Sequence, residues 1–297
     1  MTYRVTINTI TRFLRTKKFG LILMHGFFLF SAHPFLCYSQ DLYSLEQSKK
    51  YAEYLFSSQQ HTLAAEEYER LVYLDSNNIR FKYNLIKSYR LAGDFNMGIR
   101  RIYFFYGNST DTMPQILASE FVKLQILSDS LSVVENFIKS TGKLSAEYKS
   151  VVQSCDLLLN GNYKAATLLV NESAIKYPEF PVSVVNLTQR ANSLKHKSPY
   201  LAAGFSVIIP GSGKFYTKNW SDGIFALLFV AGNAWQAYRG FNEHGMKSAY
   251  GWVFAGLSTS FYIGNVFGSV KAAKRYNKDK KNEIDNQVFE FVSSDSF

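Results

Sequence analysis

The stretch Ile208-Ile209-Pro210-Gly211-Ser212-Gly213-Lys214-Phe215-Tyr216 contains residue types that suggest phosphate chemistry. In a phosphate-binding loop, backbone N–H groups of a glycine-rich turn cradle the phosphates. A lysine reaches the outer ones, and a following Ser or Thr hydroxyl holds magnesium. The spacing here does not fit. Counting back from Gly213-Lys214, the first glycine of that motif falls on Ile208, and the hydroxyl position is Phe215. The segment before it, Leu201–Ile209, follows a helical pattern and not a strand. Other catalytic signatures are missing as well: no HExxH and no G-x-S-x-G. The five His residues are scattered, and Cys37 and Cys155 form no CxxC pair, so no metal site is expected. A lone Cys155 reads as a small buried hydrophobe. The acidic run Glu66-Glu67-Glu69 reads as an exposed helix face. We therefore expect no enzyme, no cofactor and no metal.

The glycine-rich stretch needs another purpose, and charge distribution begins to supply it. The net charge of +10 divides unevenly along the 297 residues. Residues 1–40 carry five basic side chains and no acidic ones, residues 41–194 carry 16 of each, and residues 195–297 carry 12 basic against 7 acidic. The excess flanks the apolar segments and leaves the central body neutral, which points to membrane flanks and away from nucleic acid.

Arg4, Arg12, Arg15, Lys17 and Lys18 precede the apolar run Phe19–Phe30 and the small-x-small pattern Cys37-Tyr38-Ser39. This is the pattern of a signal peptide over 1–39, or of an uncleaved signal anchor. Either places residues 41 onward in the cell envelope, outside the cytoplasm.

Between 41 and 195, apolar residues recur at i, i+3, i+4 and i+7, the period of a helix. Three segments align at a period near 34. One is 51–78, with Ala52, Leu55, Ala64 and Tyr68. The second is 85–106, with Leu85, Tyr89, Gly93-Asp94-Phe95 and Gly98. The third is 157–178, with Leu157, Gly161-Asn162-Tyr163, Ala166 and Pro178. The stretch 113–142 has the same length without the small residues, as a degenerate repeat or a spacer would. These segments resemble tetratricopeptide repeats. That resemblance implies an all-α, TPR-like α-solenoid with a concave face that binds a protein partner. On this sequence the face would carry Arg80, Tyr83, Asn84, Lys87 and Arg90, the alternative being an ordinary solvated helix face. The carboxylate-clamp pattern is incomplete, because Lys49 and Asn84 fit it while Glu53 stands where an amide donor belongs.

After "SLKHKSP" the composition changes. Gly223–Tyr238 and Ser248–Val270 carry no charge, and a polar loop separates them. The second is long enough to span a bilayer, and the first becomes adequate with its aromatic flanks. Gly256, Ser260, Gly264 and Gly268 recur every four residues, as in helices that pack closely in lipid. Asn233 and Asn265 are placed to hydrogen-bond across that contact. With Gly211, Gly213, Phe215, Tyr216 and Gly223, the region resembles two-helix membrane hairpin domains of the TM2 type. It is similar to the C-terminal part of bacterial envelope proteins that join a signal peptide, TPR-like helices and such a hairpin. The resemblance implies a transmembrane helical hairpin over 196–275, entered through Pro210, Gly211, Gly213 and Tyr216, with a flexible basic tail over 276–297. The number of spans and the oligomeric state stay open. We expect a membrane-anchored scaffold whose partners are a protein and the lipid bilayer. A hairpin working in a transport or insertion machine, with the repeats docking it, is the alternative.

Overall fold

A computed structural model describes residues 44–107, 112–294 and 297. The signal peptide expected at 1–39 lies outside the described residues. The chain divides into two units after Ser48. Of the first unit only residues 44–48, at the start of helix α1, are described; the second unit is Lys49–Phe297.

Every regular element among the described residues is helical. The first four helices are α1 (Leu45–Ser57), α2 (His61–Leu74), α3 (Ile79–Leu91) and α4 (Phe95–Tyr106). Then come α5 (Gln115–Leu127), α6 (Leu131–Ser140), α7 (Ala146–Leu159), α8 (Tyr163–Lys176) and α9 (Val182–Asn192). The C-terminal region contains α10 (Pro199–Ile208), the short α11 (Ser212–Tyr216), α12 (Trp220–His244), a 3-10 turn at Gly245–Lys247, and α13 (Ala249–Ser293).

One turn recurs through the body. Gln59, Gly93, Asp129 and Gly161 all have positive φ, and they stand 34, 36 and 32 residues apart. At each, the next residue donates its N–H to the carbonyl five positions back: Gln60 to Leu55, Asp94 to Tyr89, Ser130 to Gln125 and Asn162 to Leu157. This bond satisfies a carbonyl that the ending helix would leave orphaned, and it reverses the chain into the next helix. Five residues after each turn residue comes a buried contact position, filled by Ala64, Gly98, Val134 and Ala166. Nine after it come Tyr68, Ile102, Ile138 and Val170, all buried. At Gly98 the fit is tight, since a Cβ there would lie 2.8 Å from Leu124 Cδ1. The segment 113–142 therefore folds as the third of four helix pairs, with Asp129 in the glycine position and Val134 in the small-residue position.

The pairs bury two apolar clusters. Ala52, Leu55, Ala64, Tyr68, Leu71, Phe81 and Leu85 form one across α1, α2 and α3. The larger runs from Ile86 and Ile102 through α5 to α9. Helix α5 is surrounded, with nine consecutive or near-consecutive buried positions from Leu117 to Ile126, so it shows no polar stripe.

The C-terminal tail differs from expectation. Residues 276–293 continue α13, and Ile284, Val288, Phe291 and Val292 are buried in the larger cluster. These four positions fall on one helix face, whereas "NQVFEFV" read by eye alternates like a strand. The charged run before them also suits a helix, because Lys281–Asp285 and Lys280–Glu283 pair at 2.6 and 2.7 Å. One 45-residue helix, about 67 Å long at 1.5 Å per residue, therefore extends from the apolar region into the core of the body.

Among the described residues, α13 is the one helix long and apolar enough to cross a membrane. Its apolar half is not a core helix: only 11% of its most apolar window is buried. Val253, Leu257, Phe261, Ile263 and Phe267 are exposed on it, as are Phe225, Leu228, Phe229 and Trp235 on α12. An exposed apolar surface of this extent marks a membrane or partner-binding face.

Candidate functional site

The glycine-rich stretch is the packing joint of this apolar region. Helix α10 starts from Ser198, whose hydroxyl caps Leu201 N–H at 3.3 Å, with Pro199 in the first turn. It ends at Ile208, and Pro210 follows where the helix cannot continue. Gly211 then takes φ +90°, and a Cβ on it would overlap the Gly223 carbonyl. A Cβ on Gly213 would overlap the Ala202 carbonyl, so α11 rests directly on the backbone of α10.

A chain of buried hydroxyls ties this joint to α13. Gly213 N–H donates to Ser206 Oγ at 3.0 Å, and Ser206 Oγ lies 2.7 Å from Ser269 Oγ. Ser269 in turn donates to the Asn265 carbonyl at 2.9 Å, so Ser206 is the donor of the serine pair. Every hydroxyl in the chain is satisfied, as an apolar setting demands.

The register along α13 shows how far each segment descends. Asn277 accepts from Lys197 N–H and donates to the Lys197 carbonyl, both at 2.8 Å. Ser206 meets Ser269, and Tyr262 donates to the Val207 carbonyl at 2.7 Å. Lys214 is back beside Gly268. Segment 197–214 thus goes part of the way along the apolar half of α13 and returns. Helix α12 then runs antiparallel to α13 over the remaining length. Ser258 donates to the Val230 carbonyl at 3.0 Å, and Gly240 packs on the backbone of Gly251.

The seam between α12 and α13 is not the expected one. It uses Gly251, Ser258 and Asn265, at seven-residue spacing. At 100° per residue, seven residues bring the next position back within about 20°, whereas four-residue steps drift by about 40° each and wind off the seam. Gly256 and Gly264 consequently face open space, with no atom within 4 Å of a Cβ on either. Ser260 is exposed, and Gly268 meets only the Lys214 side chain, 3.4 Å from its Cε. Asn233 donates to Phe229 O of its own helix at 2.7 Å and does not meet Asn265. Both amide atoms of Asn265 are buried without a partner. Tyr216 is half-buried: its ring lies 5.4 Å from that of Phe205, its hydroxyl accepts from Ser198 N–H, and Lys197 Nζ stands 4.4 Å above it.

The expected partner face is also changed. Arg80 is exposed, whereas Tyr83, Asn84 and Lys87 are half-buried. Asn84 donates to Tyr68 Oη at 3.1 Å, and Lys87 Nζ lies 5.7 Å above the Phe56 ring. Arg90 is no part of an open surface. It is 2% exposed and donates to Glu120 through Nε at 2.7 Å and Nη2 at 3.3 Å. A third donor, Nη1, reaches the Ser293 carbonyl, and Lys123 Nζ contacts Glu120 at 3.6 Å and Ser294 O at 3.5 Å. Two buried cations thus hold the last turn of α13, where the helix dipole favours positive charge. Phe297 completes the contact, its ring 5.3 Å from Tyr148 and from Phe291. Nothing local in the sequence ties Arg90 to residue 293, so this capture site had no signal beyond the helical spacing of Ile284, Val288 and Phe291.

Cys155 is buried, and burial, with Asp156 adding to it, pushes its thiol up to about 12. The thiolate is the reactive form, so neutral-pH alkylation of the folded protein is expected to be at least about a hundredfold slower than that of an ordinary free cysteine. Iodoacetamide labelling before and after denaturation measures this directly, and comparable rates in the two states would contradict the burial.

No protein-family model, curated protein or solved structure matches the chain. The functional reading rests on the chain's own geometry.

Proposed function

We propose that the protein is a membrane-anchored scaffold of the cell envelope, without catalytic chemistry of its own. Its TPR-like repeats take an extended or acidic protein partner, and the α12–α13 hairpin tethers them to the bilayer. The observation that carries this reading is the double role of α13. Its first half presents apolar side chains outward, and its second half is part of the core of the repeat body. A body fixed in this way is held at a set height and orientation over the lipid, which a flexible linker would not achieve.

In this reading the body lies outside the cytoplasm, which the signal-peptide pattern at 1–39 supports. Segment 197–214 turns back before the end of the apolar zone; in the same reading α12 crosses beside α13, the one helix among the described residues long and apolar enough by itself, and the hairpin makes two crossings. The body and residues 271–293 then share one side, and Gly245–Lys247 lies on the other. Lys271, Lys274, Arg275 and Lys278 form a basic collar on the body side, suited to lipid headgroups. Surface positions Arg80, Tyr83, Asn84 and Lys87 offer cationic, amide and aromatic groups to the protein partner. A second reading, the hairpin as the working element of a transport or insertion machine, draws on the broken backbone that α10 and α11 bring to apolar depth.

A photo-reactive residue at position 80 or 83 of the full chain, activated in cells, tests the scaffold reading. A discrete protein adduct, formed from position 83 and lost when Arg80→Glu and Lys87→Glu are combined with it, supports it. Adducts formed only from positions on α12, with none from 80 or 83, favour the second reading.

A further inference from the structure

A cavity of about 270 Å³ opens where α11, α12 and α13 meet, at the level of Gly264. Its walls are aromatic, from Phe225, Phe229 and Phe261, and its polar lining comes from Lys214, Asp222 and Asn265. Lys214 reaches it by lying across Gly268, where a larger side chain would crowd its stem. Its ammonium makes only a long 3.4 Å contact to the Asp222 carbonyl oxygen. The Asp222 carboxylate is exposed and accepts from Asn219 Nδ2 at 2.7 Å, which leaves acceptor capacity free. Asn265 is 4% exposed, and neither its Nδ2 nor its Oδ1 has a hydrogen-bond partner. A buried amide left unpaired on both sides is costly and marks a place where a polar ligand atom belongs.

We infer that this cavity is a binding site for a zwitterionic phospholipid carrying a primary amine, that is, a phosphoethanolamine headgroup. The inference rests on the membrane reading above. The phosphate takes Lys214 Nζ and the Asn265 amide N–H, and the headgroup ammonium takes the Asp222 carboxylate. One acyl chain follows the open strip over Ser260 and Gly256, against the phenylalanine rings.

Three observations select this class. The lining carries one cation and one carboxylate, so a headgroup with one charge of each sign matches it. A purely anionic headgroup would leave Asp222 opposed to it, and a quaternary ammonium has no N–H to donate. The depth agrees too: the Lys214 stem lies beside Gly268, three residues or about 4.5 Å of helix rise below Lys271 of the basic collar, and the cavity reaches down to Gly264, about 10.5 Å below it. That interval runs from the headgroup boundary into the start of the acyl chains, as a bound lipid headgroup with its chain below it requires. The volume accommodates a headgroup and not a whole lipid, and the strip without side chains at Gly256 and Gly264 accommodates the tail.

Native mass spectrometry of the detergent-purified full chain, offered equal amounts of phosphatidylethanolamine, phosphatidylglycerol and phosphatidylcholine with matched acyl chains, tests this. One phosphatidylethanolamine is expected to be retained per chain, about tenfold above either competitor, because a charge-assisted hydrogen bond is gained only there. Asp222→Asn is expected to erase the preference over phosphatidylcholine, and Asn265→Leu to reduce retention of all three. Equal retention of the three lipids, or retention unchanged in both variants, overturns the inference. So does a lipid-free dimer that Gly264→Leu dissociates, since the strip would then serve a second copy. Flotation of the same proteins with liposomes separates the two readings. Chains that float but do not select lipid refute the site alone, and chains that never float refute the membrane reading with it.

Discussion

Glu120→Leu is expected to lower the stability of the intact chain by about 3–5 kcal/mol, the usual cost of leaving buried charge uncompensated. Arg90 and Lys123 are 2% and 5% exposed, and the Glu120 carboxylate pairs with both. After the exchange, two cations remain in the interior without that carboxylate, beside the Ser293 and Ser294 carbonyls. Denaturant unfolding of the detergent-purified protein, followed by tryptophan fluorescence and circular dichroism, measures the loss. The exposed pair Lys139–Glu135 serves as control, because solvent screens it and Glu135→Ala should leave the transition unmoved. A midpoint for Glu120→Leu equal to that of the control would mean that the cluster is hydrated and does not clamp the helix.

Ile284→Ala is expected to cost about 2–5 kcal/mol, the range for removing a large aliphatic side chain from a packed core. Ile284 is 1% exposed and belongs to the same apolar cluster as Leu158 and Val184. The loss should be local in its first effect, because residues 276–293 dock on the body through few anchors. Undocking exposes Lys271, Lys274, Arg275, Lys278, Lys280 and Lys281 as an unpacked, protease-sensitive segment. Limited trypsin digestion is therefore expected to release the C-terminal peptide much faster from Ile284→Ala than from the parent chain. Lys280→Ala breaks only a solvent-screened pair with Glu283 and should leave the other sites as resistant as before. Unchanged cleavage in Ile284→Ala would contradict the docked helix.

The helical class and the repeat spacing were legible because the same local chemistry recurs. A chain reversal needs a residue tolerant of positive φ, and a close helix crossing needs a small one. Gly93 with Gly98, and Gly161 with Ala166, announce both. The third unit was obscured because Asp129 and Val134 meet the same two demands with less diagnostic residues. Its geometry is the same although its sequence is not.

Legibility failed where the structure depends on distant partners. Ile284, Val288, Phe291 and Val292 form a short face inside a charged segment, and only a preformed body gives that face somewhere to pack. Arg90 looked like a surface cation of α3 because nothing nearby in the sequence marks Glu120 or Ser293 as its partners. The glycine stripe of α13 was visible, but its four-residue period describes a strip that winds away from α12. The seven-residue set Gly251, Ser258 and Asn265 makes the contact. Asn265 is visible in the sequence as a polar group in an apolar helix, but the partner expected for it, Asn233, bonds within its own helix.

Residues 208–216 show what geometry adds to a motif. Pro210, Gly211 and Gly213 stop one helix, turn the chain and let two backbones touch, while Lys214 is left lining the cavity beside α12 and α13. The stretch fails as a nucleotide loop by its spacing, and its glycines have a structural use that accounts for each of them.

The central claim is that α13 passes through the bilayer and returns its second half to the side on which the repeat body stands. Single cysteines at the exposed positions Arg80, Lys247 and Lys278, labelled with a membrane-impermeant maleimide in spheroplasts and in inverted vesicles, test this claim most directly. Positions 80 and 278 are expected to be labelled in spheroplasts, whereas position 247 is labelled only when the opposite face is exposed. Labelling of 247 and 278 from the same face would contradict the claim.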